Sequence, residues 1–471
     1  MKIQIKNLGA IKEATIDLDK KLTVFCGPNG TGKTYMSYAL YALTKFDKVI
    51  KGNGNIDLIQ ALFKQNIVTV NDDMGSVWEF REKVLKMTTD NLWNAFAVSE
   101  IKSKEFFKNT EINILETKEA FIKKITEAAI NEKIEIYEYP LIFDKPAGSN
   151  IVAVSIMEYN LYVSIGELLS GNNYLIAIQN AISSRIQHLL GFYPFVGAAF
   201  FPIERNAIYT FSKELSITKL SQLGQMQQIA NPTELEAFNN AYKRATRYPQ
   251  AIRDDLEDAQ DLDNIQQRNS DYYEYALEIE NELLNGKVAI SDEGNVEFRT
   301  NRSPKMGLAF NQSASIVKTL ASLIIYLKHS AEKNDLIIID EPELNLHPSS
   351  QIILTRIFAR LINKGLRFVI STHSDYIIRE LNNLIMVSAD NQDVKDVSKE
   401  LGYKEDEFIK FTDVGAYLFD YETPKSKQVK VKPIKIDKNG FEVSTFDDTI
   451  NELNKRSDEL FYTLKYGKAK E

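Results

Sequence analysis

Ile3 and Ile5 alternate with Lys2, Gln4 and Lys6, and Ala14, Ile16 and Leu18 alternate with Thr15, Asp17 and Asp19. A period of two predicts two half-buried strands, with Gly9 in their connection. Leu22 to Cys26 then reads as a buried strand, and Tyr35 to Leu43 keeps apolar side chains at helical spacing without Gly or Pro. From Lys45 to about Lys133 the pattern is mainly helical, with a strand-like Ile67 to Val70 inside it. Ile134 to Phe143 and Ile151 to Ile165 are rich in β-branched and aromatic residues and are broken by Pro140, Pro146, Gly148 and Asn150, which predicts strands of a sheet. Helix is expected again from about Tyr174, followed by a buried strand at Val196 to Phe201. Thr233 to Leu284 is helical and strongly charged, without the sustained apolar heptads of a long coiled coil. Val288 and Ile290, then Val296 and Phe298, flank Asp292 to Asn295 in a hairpin pattern.

Two further apolar strands, Leu336 to Glu341 and Arg367 to Thr372, enclose a helix expected at Ser349 to Lys364 and closed by Gly365. The tail holds strands around Val429 to Ile436 and a helix from Asp447 to Leu464, whose Asp447-Asp448 pair sits where helix capping explains it.

Composition bounds the reading. A chain of 471 residues with 44% apolar and 26% charged residues is that of an ordinary globular protein, and its length suggests about three domains' worth of material. Cys26 is the one cysteine, which excludes an internal disulfide framework and, with four histidines, leaves little for a Cys/His zinc site. A reducing cytoplasm is the expected setting. The N-terminus opens on strand-like sequence, so export is not expected. The longest apolar run, the 15 residues from Leu189 to Ile203, is broken by two prolines, and no membrane association is expected.

A net charge of −8 argues against a surface coated with basic residues. The one basic run is Lys425, Lys427, Lys430, Lys432, Lys435 and Lys438. Its alternation with apolar residues reads as a solvated strand face, and contact with DNA is the other reading.

The chemistry gathers at strand ends. Gly27-Pro28-Asn29-Gly30-Thr31-Gly32-Lys33-Thr34 fits G-x-x-x-x-G-K-[ST] at every fixed position, between a strand and a helix. Such a loop turns the backbone N–H groups of Asn29, Gly30, Thr31 and Gly32 onto phosphate oxygens at a helix N-terminus. Lys33 is placed to reach the β- and γ-phosphates, and Thr34 to ligate Mg²⁺. Asp340 and Glu341 end a buried strand, the first suited to Mg²⁺ and the second to polarising the attacking water. His373 ends the next strand, where it can contact a γ-phosphate. Arg205 follows the strand at Val196 to Phe201 with two open readings, a group facing a ligand and a solvent-exposed strand end.

Gly27 to Thr34, Ile339-Asp340-Glu341-Pro342-Glu343-Leu344-Asn345-Leu346-His347-Pro348 and Ser371-Thr372-His373-Ser374 together resemble the ABC-type ATPase heads of the SMC-like and OLD (overcoming lysogenization defect) families. The resemblance implies an α/β P-loop ATPase head with an antiparallel β subdomain and a mainly helical insertion. The head would be formed by residues 1–45 and 296–424, the mixed insertion by 46–295, with strands at about 134–165 and a helical lobe at about 206–285, and a strand-helix tail by 425–471. The insertion is too short and irregular for a long coiled coil, and it is closer to the compact ATPases of bacterial phage defence, such as the ATPase subunits of Septu and PARIS. Such heads hydrolyse ATP with Mg²⁺ as homodimers or higher assemblies of dimers, a signature serine of one subunit capping the γ-phosphate held by the other. Ser313 and Ser315 both fit that place, at the start of the helix Ile316 to His329, with helix capping as the alternative role. OLD proteins carry a Toprim nuclease after the head. The tail here lacks its acidic cluster, so the resemblance points to a separate effector, a nuclease subunit. The rival functions are an ATP-gated clamp on DNA and a structural scaffold with little turnover.

Overall fold

The computed structural model describes residues 1–45, 61–62, 65–71, 73–98, 102, 105–136, 139–156, 172–212, 248–291, 294–423 and 425–467. The N-terminal alternation yields β1 (Lys2–Leu8) and β2 (Ile11–Asp17), paired antiparallel with Ile3 opposite Ile16 and Ile5 opposite Ala14. Next, β3 (Leu22–Cys26) is buried at every position because its sheet is covered on both faces. Leu22, Val24 and Cys26 join the apolar cluster of one face, while Phe25 joins that of the other. The same division runs through β13 (Leu336–Asp340) and β14 (Arg367–Ser371), where Ile337, Ile339, Phe368 and Ile370 face one way and Ile338 and Val369 the other.

Nine strands form the central sheet. To those already named it adds β5 (Glu111–Ile114), β9 (Ala198–Phe201), β15 (Val414–Tyr421) and β16 (Val429–Ile434), in the order β5-β1-β2-β16-β15-β3-β14-β13-β9. From β15 to β9 every neighbour is parallel, whereas β5, β1 and β2 are antiparallel. A second, antiparallel sheet joins β4 (Ile67–Asn71), β6 (Ile130–Ile136), β7 (Tyr139–Lys145) and β8 (Ile151–Ile156). The hairpin pattern yields β10 (Gly286–Ile290) and β11 (Val296–Thr300), with Val288 opposite Phe298, and the short β12 (Gly307–Ala309) completes that sheet.

Helices close the layers. On one face of the central sheet, α1 (Lys33–Thr44) buries Met36, Leu40 and Leu43. The second sheet shares a core with α2 (Met74–Asp90), α3 (Lys118–Glu127) and α4 (Asn172–Gly191), through Val77, Phe121, Ile125, Phe143, Val154 and Ile182. Then come α5 (Gln250–Asp258) and α6 (Tyr273–Ile279). The other face of the central sheet is covered by α7 (Ser315–His329) and α8 (Pro348–Asn363), with Leu320, Ile324, Leu354 and Ile357 directed inward. After α9 (Asp375–Met386) and α10 (Gln392–Glu400), the described chain ends in α11 (Ser444–Tyr466). The architecture is of the expected α/β class: a mixed sheet, antiparallel sheets and many helices.

Several expectations change. The stretch from Lys45 to Lys133, read as mainly helical, also supplies β5, which pairs with β1, and the start of β6. Both β5 and β9 come from the segment expected as an insertion, and β16 comes from the expected tail, so the sheet extends beyond 1–45 and 296–424. The physical reason is backbone pairing, because β5 and β9 satisfy the outer N–H and C=O rows of β1 and β13 and β16 bridges β2 to β15. The expected strand beyond Ile156 and the helical reading of 233–247 fall on residues outside those described. In the tail, α11 begins at Ser444, so Asp447 and Asp448 lie inside the helix instead of at its cap. Along β16 Val429 and Val431 are buried while Lys430 and Lys432 are exposed, the pattern of a solvated strand face. Among the described residues no helix is long and apolar enough to cross a membrane.

One buried ion pair fastens the hairpin to α7. Lys328 Nζ lies 2.6 Å from Glu280 Oε1 and donates to the Val288 carbonyl at 2.9 Å, while the Val288 N–H donates to the same carboxylate at 2.6 Å. Removing one member strands the other charge, so Lys328→Ala is expected to lower unfolding free energy by about 3–5 kcal/mol, and replacing the pair together (Lys328→Met with Glu280→Leu) by much less. Chemical denaturation of the three proteins checks this, and an equal loss in the single and double variants contradicts it.

Candidate functional site

The site is assembled at the C-terminal ends of β3, β14 and β13. After Cys26 the chain must turn at once, and Gly27 does so at φ +131°, so close to β15 that an added Cβ would lie 2.1 Å from the Phe419 carbonyl oxygen. Gly32, at φ +91°, is the N-cap residue of α1, and Lys33 and Thr34 are the first residues of that helix. The loop is held by its own polar groups. Thr31 Oγ1 donates to the Pro28 carbonyl at 2.8 Å, and the buried Lys33 ammonium donates to the carbonyls of Gly27 and Pro28, each at 2.9 Å. Burial lowers the Lys33 pKa, and nearby Asp340 opposes that shift. Asn29 and Gly30 are exposed at the loop tip. Behind the loop, burial pushes the Cys26 thiol up to about 12, so it stays protonated.

Asp340 joins the loop to the distal strands. Its Oδ2 accepts from Thr34 Oγ1 at 2.7 Å and its Oδ1 accepts a short hydrogen bond from Ser371 Oγ. Glu341 follows at φ +48°, a left-handed conformation that is unusual for a residue with a side chain. Its carboxylate is part-exposed, 4.0 Å from His373 Nε2. Burial first and the Asp340 charge second raise the Glu341 pKa. Burial first and Lys33 second lower that of His373, which is therefore neutral at pH 7.

Sequence reasoning gave Glu343 no role of its own. Its Oε1 accepts from Thr372 Oγ1 at 2.9 Å and from the His373 N–H at 2.6 Å, so it ties the loop after β14 to the loop after β13. The signal was present in the repeated acid of Glu341-Pro342-Glu343. Arg205 is 2% exposed, which removes the reading of a solvent-exposed strand end.

The two serines stand apart from this group. Ser313 is buried, with Oγ donating to the Phe310 carbonyl at 2.6 Å, whereas Ser315 is exposed as the first residue of α7. The N-cap residue is Ala314 with no side-chain capping bond, so the capping alternative does not hold for either serine. Among the described residues neither serine hydrogen-bonds to residues 27–34.

The donor set fits a nucleotide with Mg²⁺. Thr34 and Asp340 offer two oxygens side by side. That suits Mg²⁺, which is held through one or two carboxylates with phosphate and water completing its shell.

Fold and site together define a P-loop nucleotide-binding protein of α/β class, with an acidic strand end beside the loop. Residues 1–378 match the family model described as AAA ATPase domain, and the chain belongs to that family of ATP-binding ATPases. Among solved structures, the SMC head domain from Thermotoga maritima aligns at 10% identity over 92% of this chain and 98% of that one, with a TM-score of 0.30. The SmcHead bound to the C-winged helix domain of ScpA aligns at 11% identity over the same shares, with a TM-score of 0.31. Both likenesses are low, and the fold assignment rests on the strand order itself. No curated protein matches the chain.

Gly27→Ala is expected to be destabilising whether or not nucleotide is present, since Cβ and the Phe419 carbonyl cannot share the space and L residues rarely adopt φ +131°. A thermal melt several degrees below the parent is the predicted result, and an unchanged melt shows that β15 yields freely.

Proposed function

We propose that this chain is an ABC-type ATPase that closes as a homodimer about ATP and Mg²⁺ and, through that closure, regulates or scaffolds a separate nuclease effector in antiphage defence. The observation that supports ATP chemistry best is the Thr34–Asp340 hydrogen bond, which joins the phosphate loop to the acidic strand end. The defence setting and the effector rest on the resemblance to Septu and PARIS ATPase subunits.

In this reading the N–H groups of Asn29 to Gly32 turn toward phosphate oxygens, and Lys33 exchanges the carbonyls of Gly27 and Pro28 for β- and γ-phosphate oxygens. Thr34 and Asp340 would hold Mg²⁺, which supplies charge neutralisation on the phosphates. Glu341 accepts a proton from the attacking water and neutral His373 donates to the γ-phosphate. The remaining wall comes from Ser313 or Ser315 of a second copy, and the exposure of Ser315 makes it the better placed of the two.

Glu341→Gln keeps the side-chain shape and removes the base, so hydrolysis is expected to fall by roughly 10²- to 10⁴-fold while ATP remains bound and the dimer accumulates in gel filtration. In the parent, kcat/KM should decline as pH falls through an apparent pKa above the ordinary 4.5 of glutamate, because burial and Asp340 favour the protonated acid. That limb, corrected for the ionisation of ATP, should be absent in Glu341→Gln. Retention of the limb or of parental turnover would place the base elsewhere.

Trans capping is tested by mixing two inactive chains, Lys33→Ala and the double variant Ser313→Arg with Ser315→Arg. A mixed dimer carries both lesions at one site and an intact loop with an intact cap at the other. ATPase activity is expected to return on mixing. No return despite demonstrated subunit exchange, or full activity of the double variant alone, refutes this arrangement.

A further inference from the structure

Arg205 lies just past the end of β9, beside the acidic end of β13, and four of its five guanidinium N–H groups donate to backbone carbonyls. Nη1 donates to the Asp340 carbonyl at 2.7 Å and the Pro202 carbonyl at 2.9 Å, Nη2 to the Glu341 carbonyl at 2.7 Å, and Nε to the Thr319 carbonyl of α7 at 3.2 Å. None of these partners is a side chain.

The sheet explains why such a brace is needed. The β9–β13 ladder ends with Ile339 opposite Phe201, and β9 itself ends at that residue. The carbonyls of Asp340 and Glu341 therefore leave the ladder on that side just where the carboxylates must be aimed. A planar fork with fixed N–H directions extends the ladder by two carbonyls, which a flexible ammonium cannot reproduce.

Glu341 needs this restraint more than most residues. Left-handed backbone at φ +48° is costly for an L residue and persists only where its surroundings enforce it. Its N–H is held by the Ser371 carbonyl at 2.9 Å and its carbonyl by Arg205, so the peptides on both sides of its Cα are fixed.

We infer that Arg205 is a positioning residue for ATP hydrolysis, fixing the backbone that aims Glu341 and Asp340 and fastening it to α7. The inference rests on the ATPase reading above. Burial lowers the Arg205 pKa to about 10, with Asp340 the largest opposing influence, so the guanidinium is charged throughout the working pH range.

Arg205→Lys is the test, with Arg205→Ala assayed in added guanidinium ion as the second variant. Arg205→Lys is expected to bind a fluorescent ATP analogue within about threefold of the parent while kcat falls by about 10- to 100-fold, the scale of an aiming error of about 1 Å. In the Glu341→Gln background the same substitution should add less than twofold, because Arg205 acts through the aim of that carboxylate. Guanidinium ion should restore part of the Arg205→Ala turnover.

Parental kcat in Arg205→Lys, or a full multiplicative loss on top of Glu341→Gln, overturns the inference. So does failure of both variants to fold even with guanidinium present, which would assign Arg205 to stability alone. Parental turnover in Glu341→Gln by itself would instead defeat the ATPase assignment of Glu341, which separates the two failures.

Discussion

Two strands and a helix meet in one carboxylate. Asp340 accepts from Thr34 at the start of α1 and from Ser371 at the end of β14, while belonging to β13 itself. Hydrogen bonds to an ionised group contribute about 1.5–3 kcal/mol each and are directional, so the register of these three elements is set here. In the sheet β14 separates β3 from β13, and Ser371 fills that gap while Thr34 reaches past it. The same contact joins the loop to the strand end that carries Glu341 and, in the proposed function, sets the two oxygens that would hold Mg²⁺. Structural integrity and chemistry therefore draw on the same atoms.

The surroundings of that carboxylate are crowded with charge. Asp340, Glu341 and Glu343 are answered by Lys33 and Arg205, and burial is the largest influence on every shifted group among the five. Each carboxyl whose pKa rises does so because its charged form has lost water, a loss offset at Glu341 by Lys33 and Arg205 and at Glu343 by hydrogen bonds from the His373 N–H and Thr372. Glu343 accepts from the N–H of His373 and holds that loop, while the Glu341 carboxylate lies 4.0 Å from the ring of the same residue. The Lys33 ammonium is held by the carbonyls of Gly27 and Pro28.

Much of this was legible in the sequence because it is local. Eight consecutive residues specify the phosphate loop, and the apolar run into Asp340-Glu341 specifies both a buried strand and its acidic end. Period-two alternation gave β1 and β2 together with their pairing. What escaped is non-local. The four residues of β5 carry too little pattern to announce a strand, and their place beside β1 follows from an edge that needs covering. Arg205 leaves two readings open in the sequence, a group facing a ligand and an exposed strand end, and its bonds to the Asp340 and Glu341 carbonyls depend on residues more than a hundred positions away. The acids of the tail looked like a cap because their helix begins earlier than its apolar spacing implies.

The strand order also bears on how the protein is made. On either side of β3 lie β14 and β15, which begin at Arg367 and Val414. Ribosomes add about 5–20 residues per second, so roughly 20–70 s separate synthesis of β3 from that of its first neighbour. Throughout that interval an apolar strand with two open edges has no native partner, and no nucleotide can shelter it because Asp340 and Ser371 have yet to be joined to the loop. The nascent chain must be held by other means, and its window of aggregation closes only as the last third is delivered.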